Sequence, residues 1–324
     1  MRAEHVRTWF PVRKGILKRR QFVKAVDDVS FSIHAGETFG LVGESGCGKS
    51  TLGRSIVQIY KPTDGRILFK GKDIARLNSD EQRTFHKECQ LIFQDPYASL
   101  DPRMTVGEII MEPMVIHGLY GSHEERESEC ARLLQDVGLK PDHIRRYPHE
   151  FSGGQRQRVS IARTLALKPD FIVCDEPISA LDVSIQAQII NLLKEVQERL
   201  GIAYLFIAHD ISVVDHISDR IGVMYLGHLV EVGGSHEVCR EPMHPYTQAL
   251  LSAVPLPDPV RAKSSRRQIL DGELPSPLDP PAGCPFHTRC PRAMEVCRRS
   301  MPRMRSYGDR QCACHALDGG TDEA

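Results

Sequence analysis

One nonapeptide limits the folds open to this chain more than any other feature. Gly43-Glu44-Ser45-Gly46-Cys47-Gly48-Lys49-Ser50-Thr51 follows the buried run Phe39, Leu41, Val42 and precedes Leu52, Ile56 and Ile59, which share one helical face. A glycine-rich loop between a buried strand and a helix lets successive backbone N–H groups wrap a phosphate without Cβ clashes. The helix start adds the positive end of its dipole. Lys49 then suits the β and γ phosphates, and the Ser50 hydroxyl suits one Mg²⁺ position.

The rest of the chain fits an α/β core around that loop. Val26 to Ile33 alternates as a strand, Ala35-Gly36 turns, and Gly65 to Lys70 resumes as a strand after Lys61-Pro62. From about Ser79 to Gly138 helical periodicity dominates, with Cys130, Leu133, Leu134 and Val137 as one stripe. This predicts a helical subdomain over about 79–165, inserted in the core. Phe171 to Cys174 and Ala203 to Ala208 are short buried runs on either side of a helix from Gln186 to Leu200, ended by Gly201. Strands alternating with helices predict a mostly parallel sheet covered on both faces.

Asp175-Glu176 follows the buried run Phe171 to Cys174, which puts two carboxylates at the C-terminal sheet edge where ligands of open α/β folds gather. Asp175 suits Mg²⁺, directly or through water, and Glu176 suits the water that attacks a γ-phosphate. Standing alone, such a pair also admits the lesser reading of an ordinary helix N-cap.

Composition narrows the function. The 324 residues carry 42 Lys plus Arg against 42 Asp plus Glu, a formal charge of zero that disfavours a global grip on nucleic acid. No apolar run approaches the roughly 18 residues of a membrane span, and the start MRAEHVRTWF has no secretory h-region. The expectation is a soluble, cytoplasmic chain. Arg13, Lys14, Lys18, Arg19, Arg20 and Lys24 form a basic stretch, read either as a solvated loop or as a surface near anionic lipid or a partner.

Phe151-Ser152-Gly153-Gly154-Gln155-Arg156-Gln157-Arg158, shortly before the acidic strand, together with the phosphate loop resembles the signature of ATP-binding cassette ATPases. Further motifs follow in order: Gln94-Asp95-Pro96, Ser179-Ala180-Leu181-Asp182, and His209 after the last buried run. The resemblance covers about residues 6–254. It implies a P-loop ATPase fold with an antiparallel β part and a helical subdomain, ATP and Mg²⁺ as ligands, and head-to-tail pairing of two cassettes. In that pairing Ser152, Gly153, Gly154 and Gln155 of one cassette close over the phosphate loop of the other. It further implies Gln94 on Mg²⁺, Asp182 at the dimer interface, and Glu176, His209 and Lys49 as catalytic groups. Phe151 stands where leucine is more usual. The adenine-stacking aromatic is open among Trp9, Phe10 and Phe22.

Prolines crowd the stretch over 255–283, which predicts an extended linker, and Cys284, Cys290, Cys297, Cys312 and Cys314 crowd beyond it. The expected division is an ATP-binding domain over 1–254, that linker, and a small cysteine-rich module over 284–324. Glu241-Pro242-Met243-His244-Pro245-Tyr246-Thr247 and the tail from Gly283 to Cys314-His315 are similar to the C-terminal region of ATP-binding subunits of dipeptide and oligopeptide importers, F-type. The resemblance implies a four-iron iron–sulfur cluster on Cys284, Cys290, Cys297 and Cys314, with zinc as the alternative and Cys312 as a substitute fourth ligand. It also implies a second ATPase subunit, two permease subunits, an extracytoplasmic solute-binding protein and a peripheral place on the cytoplasmic face of the membrane. The competing function is a non-transport ATPase, clamping nucleic acid or a regulatory ligand, with a zinc tail.

Overall fold

Arg2–Val12, Gln21–Ser32 and Asp64–Phe69 form an antiparallel sheet whose alternating burial is interrupted by irregularities at His5 and Asp28, with Ala3 opposite both Phe31 and Ile67. One face is apolar, and Ala3, Val6, Val29, Phe31 and Ile67 are buried on it. The computed structural model describes residues 1–12, 21–253 and 272–317. Arg13, Lys14, Lys18, Arg19, Arg20 and the first part of the proline-dense stretch lie outside the described residues. The chain divides into two units, Met1–Ser32 with Thr38–Leu68 and Ile207–Ala324, and Ile33–Glu37 with Phe69–Phe206.

The first unit contains a second group of strands. Thr38–Val42, buried throughout, runs parallel to Arg220–Tyr225, with Phe39 opposite Arg220 and Val42 opposite Val223. His228–Gly234 returns antiparallel, and the cysteine-rich stretch adds Arg310–Cys312 and Arg305–Tyr307 beside it, with Cys312 opposite Glu231. After Val42 the phosphate loop leads into the helix Lys49–Ile56. That helix stops sooner than the periodicity of Leu52, Ile56 and Ile59 suggests. Gln58 takes a left-handed φ of 63°, and the Ile59 N–H turns back to the Arg54 carbonyl at 2.8 Å. This is a Schellman-type stop, and it leaves Ile59 51% exposed.

In the second unit four helices open on a capping box. Asn78 with Glu81, Thr105 with Glu108, Ser122 with Glu125 and Ser152 with Gln155 start Ser79–Glu88, Val106–Ile116, His123–Asp136 and Gly153–Leu165. Each box satisfies two backbone donors that the helix cannot, and the cap residue contributes about 1 kcal/mol. The stripe Cys130, Leu133, Leu134, Val137 is buried. Within the stretch read as helical lies a strand, Cys89–Ile92, parallel to Phe171–Asp175 with Cys89 opposite Phe171 and Ile92 opposite Cys174. Its four residues are too few to show alternation, and it follows the helix Ser79–Glu88 directly. Ala203–Ile207 lies on the other side of Phe171–Asp175, and the helix Val183–Leu200 ends on Gly201 at φ 67°. Among the described residues no helix is long and apolar enough to cross a membrane.

Back in the first unit, buried Glu231 accepts the N–H groups of Met243 and His244 at 2.8 and 2.9 Å. His244 Nδ1 accepts the Tyr246 N–H at 3.1 Å and so caps the helix Pro245–Ser252. Burial pushes the His244 pKa down to about 3. The unfolded chain therefore takes up this proton first. Above pH about 6.5 His244 costs nothing, and as pH falls from there toward 3 it removes up to ~1.4 kcal/mol of stability per pH unit. Asparagine also caps helices. Denaturant unfolding of the native chain and of His244→Asn between pH 7 and 5 should show a shallower decline in the variant.

Candidate functional site

The phosphate loop is shaped by two positions that admit no side chain. Gly48 takes φ 108°, and a Cβ there would stand 1.9 Å from the Ala25 carbonyl oxygen; one at Gly43 would stand 2.1 Å from that of Met224. The loop backbone therefore lies directly on two neighbouring strands. Lys49, 4% exposed at the start of its helix, donates to the carbonyls of Gly43 and Glu44 at 2.7 and 3.1 Å. Its ammonium thus sits inside the curve of Gly43 to Lys49. Ser45 and Gly46 are exposed at the tip, and Ser50 and Thr51 are half-buried. Burial raises the Cys47 pKa against the lowering effect of Lys49, so Cys47 stays a neutral thiol.

His209 belongs to this unit. The Ala208 N–H donates to the Leu41 carbonyl at 3.2 Å, which brings exposed His209 off the sheet at the level where the chain leaves Val42 for the loop. Of the candidate aromatics, Trp9 and Phe22 share a face, their centroids 6.3 Å apart and the Lys24 ammonium 4.8 Å from the Trp9 ring. Phe10, one residue on, is turned the other way, edge-on to Tyr60 at 5.2 Å.

The second unit brings the carboxylate pair and Gln94 together, and register explains how. Ile92 stands opposite Cys174 in parallel strands, so the residues just beyond both strand ends leave the same edge. Gln94 Nε2 donates to Glu176 Oε2 at 2.9 Å, which orients the amide and leaves its Oε1 for another partner. Asp175 is buried, and Glu176 holds a left-handed φ of 47°, a strained conformation for a residue with a side chain. Ser179 Oγ donates to the Glu176 carbonyl at 3.1 Å and braces that turn.

The signature residues form a helix start. Ser152 Oγ accepts the Gln155 N–H at 3.4 Å and Gln155 Oε1 accepts the Ser152 N–H at 3.0 Å, with Ser152 exposed. Gly154 lets Ile185 approach, since a Cβ would stand 2.4 Å from its Cγ2. Arg156 donates from Nε to the Pro148 carbonyl at 2.7 Å and stacks over Tyr97 at 3.7 Å. Asp182 is exposed at the start of Val183–Leu200.

In the C-terminal stretch the Cys284 N–H donates to the Cys297 carbonyl at 2.8 Å. Burial pushes the Cys284 thiol up to about 12, and Cys297, Cys290 and Cys314 lie close enough to raise it further. Cys314 and Cys297 act likewise on Cys290, so these thiols lie near one another. Cys312 is fully buried in its strand. Among the described residues no group of three or more His, Cys, Asp or Glu side chains is drawn in to the geometry of a metal site. Two residues of the quoted C-terminal stretches, to which the sequence assigned no role, reach the phosphate loop: Tyr246, whose hydroxyl accepts the Glu44 N–H at 2.8 Å, and Arg289, which grips the Glu44 carboxylate. No local pattern points either of them at the loop.

The two glycines make the loop easy to break. Gly48→Ala forces a Cβ into a backbone oxygen at a left-handed position, so the variant should lose about 3 kcal/mol or more in denaturant unfolding and should not bind Mg-ADP in a calorimetric titration.

The ABC transporter family matches residues 26–179, and the family described as oligopeptide/dipeptide transporter, C-terminal region, matches residues 230–297. The putative oligopeptide transport ATP-binding protein YkfD of Bacillus subtilis is 59% identical over 92% of this chain and 91% of its own length. The oligopeptide transport ATP-binding protein AppF of the same organism is 54% identical over 96% of this chain and 95% of its own, and OppF of Salmonella typhimurium is 52% identical over 91% and 89%. Among solved structures, the dimeric ATP-binding cassette MJ0796 bound to ADP and phosphate superposes with a TM-score of 0.64 at 28% identity, covering 72% of this chain and 98% of that one. The fold is thus the P-loop α/β fold of those cassettes, and the chain is an ATP-hydrolysing enzyme that belongs to the ATP-binding proteins of the oligopeptide/dipeptide group of ABC transporters.

Proposed function

We propose that this chain energises the import of peptides or related small solutes through separate permease subunits, as one of two cassettes that close on ATP. The observation that carries the reading is that the chain holds one phosphate loop and one signature helix, with Ser152 exposed at the helix start. A capped helix start and its glycines offer backbone N–H groups to an anion. A second cassette, a homologous mate, then supplies the signature for this chain's loop and receives this chain's signature over its own. Permeases and an extracytoplasmic solute-binding protein complete the system, with this subunit peripheral on the cytoplasmic face and no nucleic acid involved.

In this reading Gly43 to Thr51 wrap the phosphates, and Lys49 leaves its carbonyl partners for the β and γ oxygens. Ser50, Gln94 and Asp175 are oxygen donors, the chemistry Mg²⁺ prefers; they would hold the metal, which would supply positive charge against the phosphates. Glu176, oriented by Gln94, accepts the proton of the attacking water, and His209 faces the γ-phosphate. Ser152, Gly153, Gly154, Gln155 and Asp182 serve the paired cassette. The domain division over 1–254, 255–283 and 284–324 goes with this reading.

Cys284, Cys290, Cys297 and Cys314 are proposed to hold a four-iron cluster. Cys284, Cys290, Cys297 and Cys314 lie near one another, which supports this set, and four thiolates are the usual ligands of such a cluster. Zinc, which also takes four thiolates, is the alternative.

Three measurements test the reading. In the assembled transporter Glu176→Gln should keep ATP binding and lower turnover by about 10² or more, as expected for loss of a general base. Lys49→Ala should abolish nucleotide binding at this chain's loop, whereas Gly153→Asp should spare that loop and disable the mate's site; loss of the same single site in both variants would sink the paired-cassette reading. Protein purified without oxygen should contain about four iron and matching sulfide per chain, absent from a Cys284→Ser/Cys290→Ser variant; zinc alone would assign the tail to the alternative.

A further inference from the structure

Glu44 follows Gly43 and so places a carboxylate within a loop built to receive an anion. Two residues from the C-terminal part of the first unit answer it. Arg289 Nη1 and Nη2 donate to Glu44 Oε2 and Oε1 at 2.7 and 3.0 Å, and the arginine side chain is 9% exposed. Tyr246 Oη accepts the Glu44 N–H at 2.8 Å. The Tyr246 ring is enclosed, its centroid 4.6 Å from that of Tyr225 and 5.4 Å from that of Phe286. Phe286, 1% exposed, is also the anchor of the turn that carries Arg289, whose N–H donates to the Phe286 carbonyl at 3.0 Å. One short turn between Cys284 and Cys290 therefore sets an aromatic plug and a planar guanidinium against the same loop.

We infer that Arg289 is a positioning residue of the phosphate loop: it neutralises the Glu44 carboxylate and ties down the first turn, so nucleotide affinity depends on the C-terminal stretch. The inference rests on the reading of this loop as the ATP site. Without the guanidinium, Glu44 keeps its charge in a half-buried place and repels incoming phosphate, and the turn is left with only the bonds of its backbone, to Tyr246, Cys47 and Lys49. The fork geometry is specific to arginine, because the two parallel N–H···O bonds that a guanidinium makes to a carboxylate have no counterpart in a lysine ammonium. By linkage, bound nucleotide strengthens the hold on the C-terminal stretch by the same factor.

The test uses Mg-ADP binding to the full-length chain by calorimetry and Mg-ATP turnover of the assembled transporter. Arg289→Ala should weaken Mg-ADP by about fivefold or more and raise KM with little change in kcat. Arg289→Lys should recover part of the loss. The double variant Arg289→Ala/Glu44→Gln should bind within about twofold of Glu44→Gln alone, because the repelling charge has gone. Unchanged binding in Arg289→Ala, or an equal loss with and without Glu44→Gln, would overturn the inference and leave Arg289 as tail packing only. Should Arg289→Ala fail to fold, Arg289→Lys compared with Arg289→Lys/Glu44→Gln decides the same question. Failure of the unsubstituted chain to bind Mg-ADP would instead overturn the ATP-site reading, and the inference with it.

Discussion

Close approach of backbone to backbone is the constraint on which the nucleotide unit depends. The phosphate loop lies against carbonyls of two strands, Ala25 in Gln21–Ser32 and Met224 in Arg220–Tyr225, at distances only glycine permits. Backbone hydrogen bonds fasten the same place. The tight turn Leu226-Gly227 sends the Gly227 N–H to the Cys47 carbonyl at 2.9 Å, and the Gly227 carbonyl accepts the Asp27 N–H at 2.8 Å. A two-residue hairpin of this kind matches the strand twist and so fixes the register between Arg220–Tyr225 and His228–Gly234. The loop's shape thus follows from strands already locked by their own pairing, which sets its backbone course before an anion arrives.

The second unit reaches precision by a different route, through register and caps rather than close approach. Parallel pairing of Cys89–Ile92 with Phe171–Asp175 decides that Gln94 meets Glu176, because a slip of one residue would carry each side chain to the other face. Glu176 makes this bond from a left-handed backbone position, just past the end of its strand. Capping boxes do the comparable work on the helical side. Ser152 belongs to this set, and its box serves two ends: it starts the helix Gly153–Leu165 and holds the signature turn in one conformation.

How much of this could be read in the sequence varies with how local the cause is. The loop from Gly43 to Thr51, the stripe through Cys130 and Val137, and the stop at Gly201 each depend on neighbours within a few residues, and they were legible. Ile59 was misread because a left-handed Gln58 gives no compositional warning. Cys89–Ile92 was hidden because a four-residue strand directly after a helix continues its apolar content, and only its partner at Phe171 makes it a strand. Motif order located Gln94 and Glu176, but the bond between them is a product of tertiary register. The Glu44–Arg289 pair spans 245 residues, and no local pattern could announce it.

That pair also shows why the C-terminal stretch is part of the nucleotide unit. Closing so long a loop is costly in chain entropy, and an exposed ion pair contributes too little to offset it. Here the closure is already made by other means: Arg310–Cys312 pairs with His228–Gly234, and Phe286 is buried among Tyr225, Tyr246 and His244. Arg289 then docks at small further entropic cost, in surroundings of low accessibility where a bidentate bond is stronger than at the surface. Phe286 and Arg289 sit between Cys284 and Cys290, so whatever fixes the spacing of those two thiols also fixes the plug and the guanidinium.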